Sequence, residues 1–69
     1  MRVDLEKMKR LRKEKKISQT ELAKKIGYKT GVGYHYIETG KRKIRAETLA
    51  KIAEILGVSV EDLYEKEVS

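Results

Sequence analysis

Apolar residues recur at helical spacing in a series of short segments along this chain. In residues 4–15, Leu5, Met8 and Leu11 fall within an arc of about 120° on a helical wheel, and Met1 lies in the same arc. Lys, Arg and Glu occupy the rest of that surface. The pattern predicts an amphipathic helix with one buried stripe.

A capping box marks the start of the second predicted helix. Ser18 is placed as N-cap, with Glu21 three residues later to bond back to it. Ile17 and Leu22 have the spacing of a hydrophobic staple, and Gly27 is placed to end the helix. About two turns of helix are too few to persist without tertiary packing.

The third predicted helix, residues 30–39, contains two glycines, each of which costs about 1 kcal/mol relative to alanine inside a helix. Tyr34 and Ile37 share a face that could point to the core. A second set, Val32 and Tyr36 with Ile37, fits helical periodicity nearly as well. Periodicity therefore leaves the buried face of this helix open.

The fourth predicted helix, residues 46–56, has a clear inner face, formed by Leu49, Ile52, Ala53 and Leu56. A last short helix is expected from Ser59, with Asp62 as its capping partner. Three glycines follow helical patterns directly and are expected to act as C-terminal caps, namely Gly27, Gly40 and Gly57. Five short helices with no strand pattern predict a compact all-α domain.

Composition narrows the function classes. The 69 residues suit one domain spanning 1–69, and 17 Lys and Arg against 11 Asp and Glu give a net charge of +6. A positive chain suits a polyanion, nucleic acid first and an anionic membrane surface second. The chain has no cysteine and no apolar run near the roughly 20 residues that span a bilayer. We therefore expect a soluble, cytoplasmic protein.

Four blocks of sequence resemble the Cro and phage-repressor helix-turn-helix family, also called the XRE family. They are ISQTELAKKIG at 17–27, IETGKR at 37–42, ETLAKIA at 47–53 and LGVSVEDL at 56–63. The resemblance implies a five-helix, lambda-repressor-like domain whose helices 2 and 3 form the helix-turn-helix. It also implies a sequence-specific DNA-binding transcription regulator, most simply a repressor that binds a palindromic operator as a homodimer.

Within that family the second helix spans the DNA backbone and the third enters the major groove. Gln19 is then expected to donate to a phosphate, the alternative being a solvated first-turn residue. Lys29 and Thr30 are weaker phosphate candidates. The residues expected to neutralise phosphates after the third helix are Lys41, Arg42 and Lys43. Arg12 matches a frequent family arginine and could pair with Glu38 or Glu47.

The spacing from Gly27 to Ile37 departs from the family by one residue, ten instead of nine. The extra residue is expected to lengthen the turn between helices 2 and 3. Aligning the chain on Ile37 and Glu38 puts Tyr34 in the core. It leaves four residues facing the groove, Gly31, Val32, His35 and Tyr36. Val32 would suit a thymine methyl, while His35 and Tyr36 would suit a base edge or a phosphate; an exposed His35 with no special role is the alternative.

Rival functions are weaker. With one histidine, no cysteine and no P-loop, the sequence does not suggest an enzyme, a metal site or a cofactor. Membrane-surface binding is disfavoured, because each apolar stripe is needed for the core. The stronger rival is a regulator that depends on a protein partner, such as an antitoxin-type module.

The C-terminal segment carries more apolar surface than a terminal helix needs. Val60, Leu63, Tyr64 and Val68 are therefore candidates for the dimer interface. The alternative is that Leu63 and Tyr64 cap the core.

Overall fold

The computed structural model describes residues 2–66. Met1, predicted on the first apolar stripe, and Val68 lie outside them. The described residues form four α-helices, α1 (Leu5–Glu14), α2 (Gln19–Lys25), α3 (Gly31–Glu38) and α4 (Ala46–Leu56), followed by a 3₁₀ helix (Val60–Leu63). Across this range the longest helix has 11 residues, and none is long and apolar enough to cross a membrane.

Side-chain caps fix where two of these helices begin. The Asp4 carboxylate accepts from the Lys7 backbone N–H at 3.0 Å and caps α1. At α2 the predicted capping box is confirmed, since the Ser18 hydroxyl accepts from the Glu21 N–H at 3.0 Å and the Glu21 carboxylate accepts from the Ser18 N–H at 3.5 Å. These local bonds satisfy N–H groups that the first turn of a helix leaves free.

The three predicted glycine caps are also confirmed. Gly27, Gly40 and Gly57 follow α2, α3 and α4 with φ of +97°, +83° and +72°. A side chain is strained in this left-handed region, so glycine stops each helix at low cost.

The fifth element is not the α-helix that the pattern predicted. Ser59 and Asp62 form the expected capping box, but the turn is 3₁₀ and ends at Leu63. Tyr64 is extended (φ −93°, ψ 149°) and pairs antiparallel with Val3. Because Glu65 N–H then donates to the Arg2 carbonyl at 2.7 Å, the chain must leave the helical conformation to join the N-terminal segment.

The core lies where the helices converge, and it decides the face of α3. Tyr34 and Ile37 have no exposed surface, whereas Val32 is 56% exposed and Tyr36 39% exposed. The alignment on Ile37 and Glu38 is therefore confirmed, and the alternative face is excluded. The remaining buried apolar residues are Met8, Leu22, Ala23, Ile26, Leu49, Ile52, Ala53, Leu56 and Leu63.

A buried ion pair joins α1 to α3. Arg12 Nε donates to Glu38 Oε2 at 2.9 Å and Nη2 donates to Oε1 at 3.0 Å, so the partner of Arg12 is Glu38 rather than Glu47. Arg12 Nη1 also donates to the Ile17 carbonyl at 2.7 Å, at the entry to α2. The hydrogen bonds to Glu38 raise the pKa of Arg12 despite its burial.

Burial by itself raises the pKa of Glu38. The hydrogen bonds that its carboxylate accepts, led by those from Arg12, outweigh the effect of burial and hold the pKa below its ordinary value. The Tyr34 hydroxyl lies against this pair without a hydrogen bond of good geometry. Its pKa is raised well above the ordinary value, chiefly by burial. The pair thus joins α1 to α3 and, through the Ile17 carbonyl, contacts the segment that leads into α2.

Candidate nucleic-acid interface

Helix α3 turns one face to solvent, opposite Tyr34 and Ile37. Val32 and Tyr36 form a ridge on this face, and His35 is exposed beside them. His35 and Tyr36 lie with their ring centroids 6.4 Å apart. Thr30, the residue before α3, makes no side-chain hydrogen bond to the helix start. The first N–H groups of α3 therefore have no side-chain cap at Thr30.

Two open depressions flank this ridge, and they collect most of the residues predicted to contact DNA. One, of about 400 Å³, is lined by Gln19, Thr20, Gly31, Val32, His35 and Tyr36. The other, of about 410 Å³, is lined by Gly27, Tyr28, Lys29, Thr30, Val32, Gly33, Tyr36 and Arg42. The fold thus brings the N-terminal part of α2, the exposed face of α3 and the loop after α3 to one surface.

The loop after α3 carries Lys41, Arg42 and Lys43, and this basic loop is bonded to the end of α3. The Tyr36 carbonyl accepts from the backbone N–H groups of both Lys41 (2.9 Å) and Arg42 (3.1 Å). Lys41 Nζ lies 5.8 Å from the centroid of the Tyr36 ring. Lys43 lies farther on, in a third depression next to Arg45 at the start of α4. Exposed cations therefore follow the edge of the α3 face, while Glu38 on the same helix is buried against Arg12.

Gln19 lies at the N-terminus of α2, as predicted, but its amide is engaged within the protein. Gln19 Nε2 donates to Glu38 Oε1 at 3.2 Å, and the side chain is half-buried. It is therefore not simply a solvated first-turn residue. An amide nitrogen carries two hydrogens, so one remains for an acceptor outside the chain.

Gly31 has a packing role that the sequence did not suggest. A Cβ at this position would lie 2.8 Å from Thr20 Oγ1 and 3.2 Å from Thr20 Cα. A Cβ at Gly31 would therefore meet α2, while Gly31 itself lies in the depression beside Val32 and Tyr36. Its contact with DNA stays a prediction. The glycine lets the starts of α2 and α3 approach closely.

Sequence reasoning missed three residues of this surface. Tyr28 lies in the turn between α2 and α3, and its ring packs against Gly33. Arg45 and Thr48 line the third depression with Lys43. A sequence signal for Tyr28 did exist. It is a bulky residue within the ten-residue spacing from Gly27 to Ile37, and the helix that follows contains two glycines against which a large side chain can pack.

The C-terminal candidates for a dimer interface are placed differently from one another. Leu63 has no exposed surface, so its side chain packs inside its own chain and offers nothing to a second copy. Val60 and Tyr64 are half-buried at the edge of the core. Their role in an interface remains a prediction.

Helices α2 and α3 are joined by a turn, and α3 exposes a face that is bordered by cationic side chains. A family model described as helix-turn-helix matches residues 8–63. This chain belongs to the helix-turn-helix family. The resemblance to the Cro and phage-repressor type is confirmed. This chain is therefore a DNA-binding transcription regulator. No match was found among curated proteins or solved structures.

The family is one of regulatory DNA-binding domains, which are typically non-enzymatic. Within residues 2–66 there is also no group of three His, Cys, Asp or Glu side chains that could hold a metal ion.

Proposed function

We propose that this helix-turn-helix protein is a transcriptional repressor that binds a palindromic operator as a homodimer. The observation that carries the proposal is the ridge of Val32 and Tyr36 on α3, flanked by two depressions and bordered by the cations of the loop after α3. A helix face of this kind fits the major groove. Occupation of the operator would block polymerase.

The contacts of the proposed complex divide into two kinds. Val32 offers an apolar surface to a thymine methyl, and His35 and Tyr36 offer polar atoms to base edges. Charged and polar groups around the ridge face the phosphates and set affinity rather than sequence choice. They are Gln19, Lys29, Thr30, Lys41, Arg42 and Lys43.

We propose a dimer because of the protein surface that a tight specific complex with DNA must bury. One small module buries about 600–1,000 Å² on DNA, and tight specific complexes generally bury more. Two copies related by a two-fold axis would place their α3 helices about 34 Å apart, on one face of the duplex. Val60 and Tyr64 are the described residues proposed for the contact between copies. Sedimentation should show a dimer that Val60→Asp dissociates, with the helical circular dichroism retained; a monomeric wild-type protein would contradict this.

Selection from a pool of random duplexes at two salt concentrations tests the whole proposal. We expect a palindromic motif with half-sites about ten base pairs apart. Contacts to about eight phosphates predict a log–log salt slope near −7. Weak binding without sequence preference would contradict the proposal and favour the alternative, a regulator that needs a protein partner.

The Arg42→Ala variant tests the assignment of the basic loop. Affinity should fall to about the same degree for all duplexes, and the magnitude of the salt slope should fall by about two units, because one phosphate contact is lost from each subunit of the homodimer. Lys9→Ala is the matched control, since Lys9 is an exposed lysine of α1 whose neighbouring side chains are those of α1. A change of sequence preference in Arg42→Ala would refute the phosphate assignment.

A further inference from the structure

Tyr28 connects the turn before α3 to the basic loop after it. Its backbone N–H donates to the Ala23 carbonyl at 2.8 Å, next to the left-handed Gly27. The start of the side chain is therefore fixed at the C-terminal end of α2, and the ring is half-buried. The ring has two partners, one on α3 and one on the loop.

The partner on α3 is Gly33. A Cβ at Gly33 would lie 3.0 Å from Tyr28 Cδ2 and 3.4 Å from Cε2. The edge of the ring thus occupies the space that any side chain at position 33 would need. This accounts for a glycine inside α3, where helix propensity disfavours it.

The partner on the loop is Arg42. Its guanidinium carbon lies 5.8 Å from the centroid of the Tyr28 ring, within the range of a cation–π contact. The backbone N–H of the same residue donates to the Tyr36 carbonyl at 3.1 Å. Arg42 is therefore bonded to α3 through its backbone, and its exposed guanidinium contacts the ring of Tyr28.

The Arg42 guanidinium lies between two depressions of the surface. Tyr28 and Arg42 line the depression beside the Val32 and Tyr36 ridge, and they also line the depression that contains Lys43 and Arg45. The contact with Tyr28 favours one position of this exposed guanidinium relative to the Val32 and Tyr36 ridge of α3. Ordering it in the free protein removes an entropic cost that DNA binding would otherwise carry.

We propose that Tyr28 is a positioning residue of the DNA interface: its ring, seated on Gly33, fixes the Arg42 guanidinium where it meets a phosphate. The residue acts through Arg42 and does not itself contact DNA. The inference rests on the proposed function, because it concerns how one of the phosphate contacts is prepared.

A double-mutant cycle tests the inference. Affinity for a fluorescein-labelled duplex carrying the enriched motif is measured for Tyr28→Leu, Arg42→Ala and the double variant, with Tyr28→Phe as the matched control. Tyr28→Leu should weaken binding about 2- to 5-fold, the size of an exposed cation–π contact, while Tyr28→Phe keeps the ring and the affinity. In the Arg42→Ala background, Tyr28→Leu should have no further effect.

Gly33→Ala provides a second variant that retains both side chains. Its Cβ would lie 3.0 Å from Tyr28 Cδ2 and 3.5 Å from Arg42 Nη1, so the ring must move by a few tenths of an ångström. Affinity should therefore fall, but by less than in Tyr28→Leu, while the better helix propensity of alanine supports α3. In the free wild-type protein, the Arg42 side-chain protons should show an upfield ring-current shift in NMR spectra. That shift should persist in Tyr28→Phe and decrease in Gly33→Ala.

The outcomes separate this inference from the proposed function. If the wild type binds duplex and Tyr28→Leu weakens binding equally with and without Arg42, Tyr28 acts independently and the inference is wrong. Absence of the ring-current shift in the wild type would overturn it as well. If the wild type binds no duplex at all, the proposed function fails and the inference fails with it.

Discussion

Removal of one partner of the Arg12–Glu38 pair should damage the fold severely. In Glu38→Ala, Arg12 Nε and Nη2 lose both of their acceptors, and only the bond from Nη1 to the Ile17 carbonyl remains. The two side chains are 8% and 2% exposed, so the guanidinium loses its charged partner at a site shielded from bulk water. Breaking a buried pair costs about 3–5 kcal/mol.

This cost is large for a small chain. Proteins have about 0.05–0.15 kcal/mol of stability per residue, which gives about 3–10 kcal/mol here. Glu38→Ala should therefore lower the melting temperature by more than about 12 °C or unfold the protein. Urea unfolding followed by circular dichroism at 222 nm, the usual helix signal, measures the free energy directly.

Replacement of both partners is the informative control. In Arg12→Met with Glu38→Leu, no buried charge is left unpaired, so the double variant should be more stable than Glu38→Ala alone. In the cycle of Arg12→Met, Glu38→Leu and the double variant, the coupling free energy between the two sites should exceed about 2 kcal/mol. A cost below about 1 kcal/mol for Glu38→Ala, or simple additivity of the two substitutions, would refute the assignment of the pair as the tie between α1 and α3.

The pair also predicts a pH dependence. Burial raises the pKa of Glu38, but the hydrogen bonds, led by that from Arg12, lower it overall below the unfolded value, which is about 4.3. The folded state then binds its proton less readily than the unfolded state, so the contribution to stability is present above the unfolded pKa and is lost as pH falls through the folded pKa. The wild type should therefore lose stability below about pH 4 more steeply than the double apolar variant. Parallel slopes would contradict this.

Three further substitutions test other parts of the structure. Gly31→Ala should destabilise the protein by about 1–3 kcal/mol through its contact with Thr20; thermal melting measures the loss, and Thr20→Ala in the same chain should recover part of it. Tyr34→Phe should leave urea stability unchanged or raise it by up to about 1 kcal/mol, because the hydroxyl is buried without a hydrogen bond; a clear loss would show that the hydroxyl is satisfied. Tyr36→Ala should change preference at one or two base pairs in the duplex selection with little effect on melting, since its ring is 39% exposed.

Local features of the sequence determined where the helices lie. The Ser18–Glu21 capping box and the glycines after α2, α3 and α4 act through bonds and backbone angles a few residues long, and all of them appear as predicted. Alignment on Ile37 and Glu38 also placed Tyr34 correctly. Periodicity alone could not choose between the two faces of α3, because both present apolar side chains.

Only the tertiary structure decided how distant segments meet. The extended conformation of Tyr64, directly after the 3₁₀ helix, accompanies its pairing with Val3, which is far away in sequence. The packing role of Gly31 depends on the close approach of α2. The contact between the Tyr28 ring and Gly33 depends on the path of the turn between α2 and α3. Such contacts are set by the packing of whole helices against one core, a property that no short stretch of sequence contains.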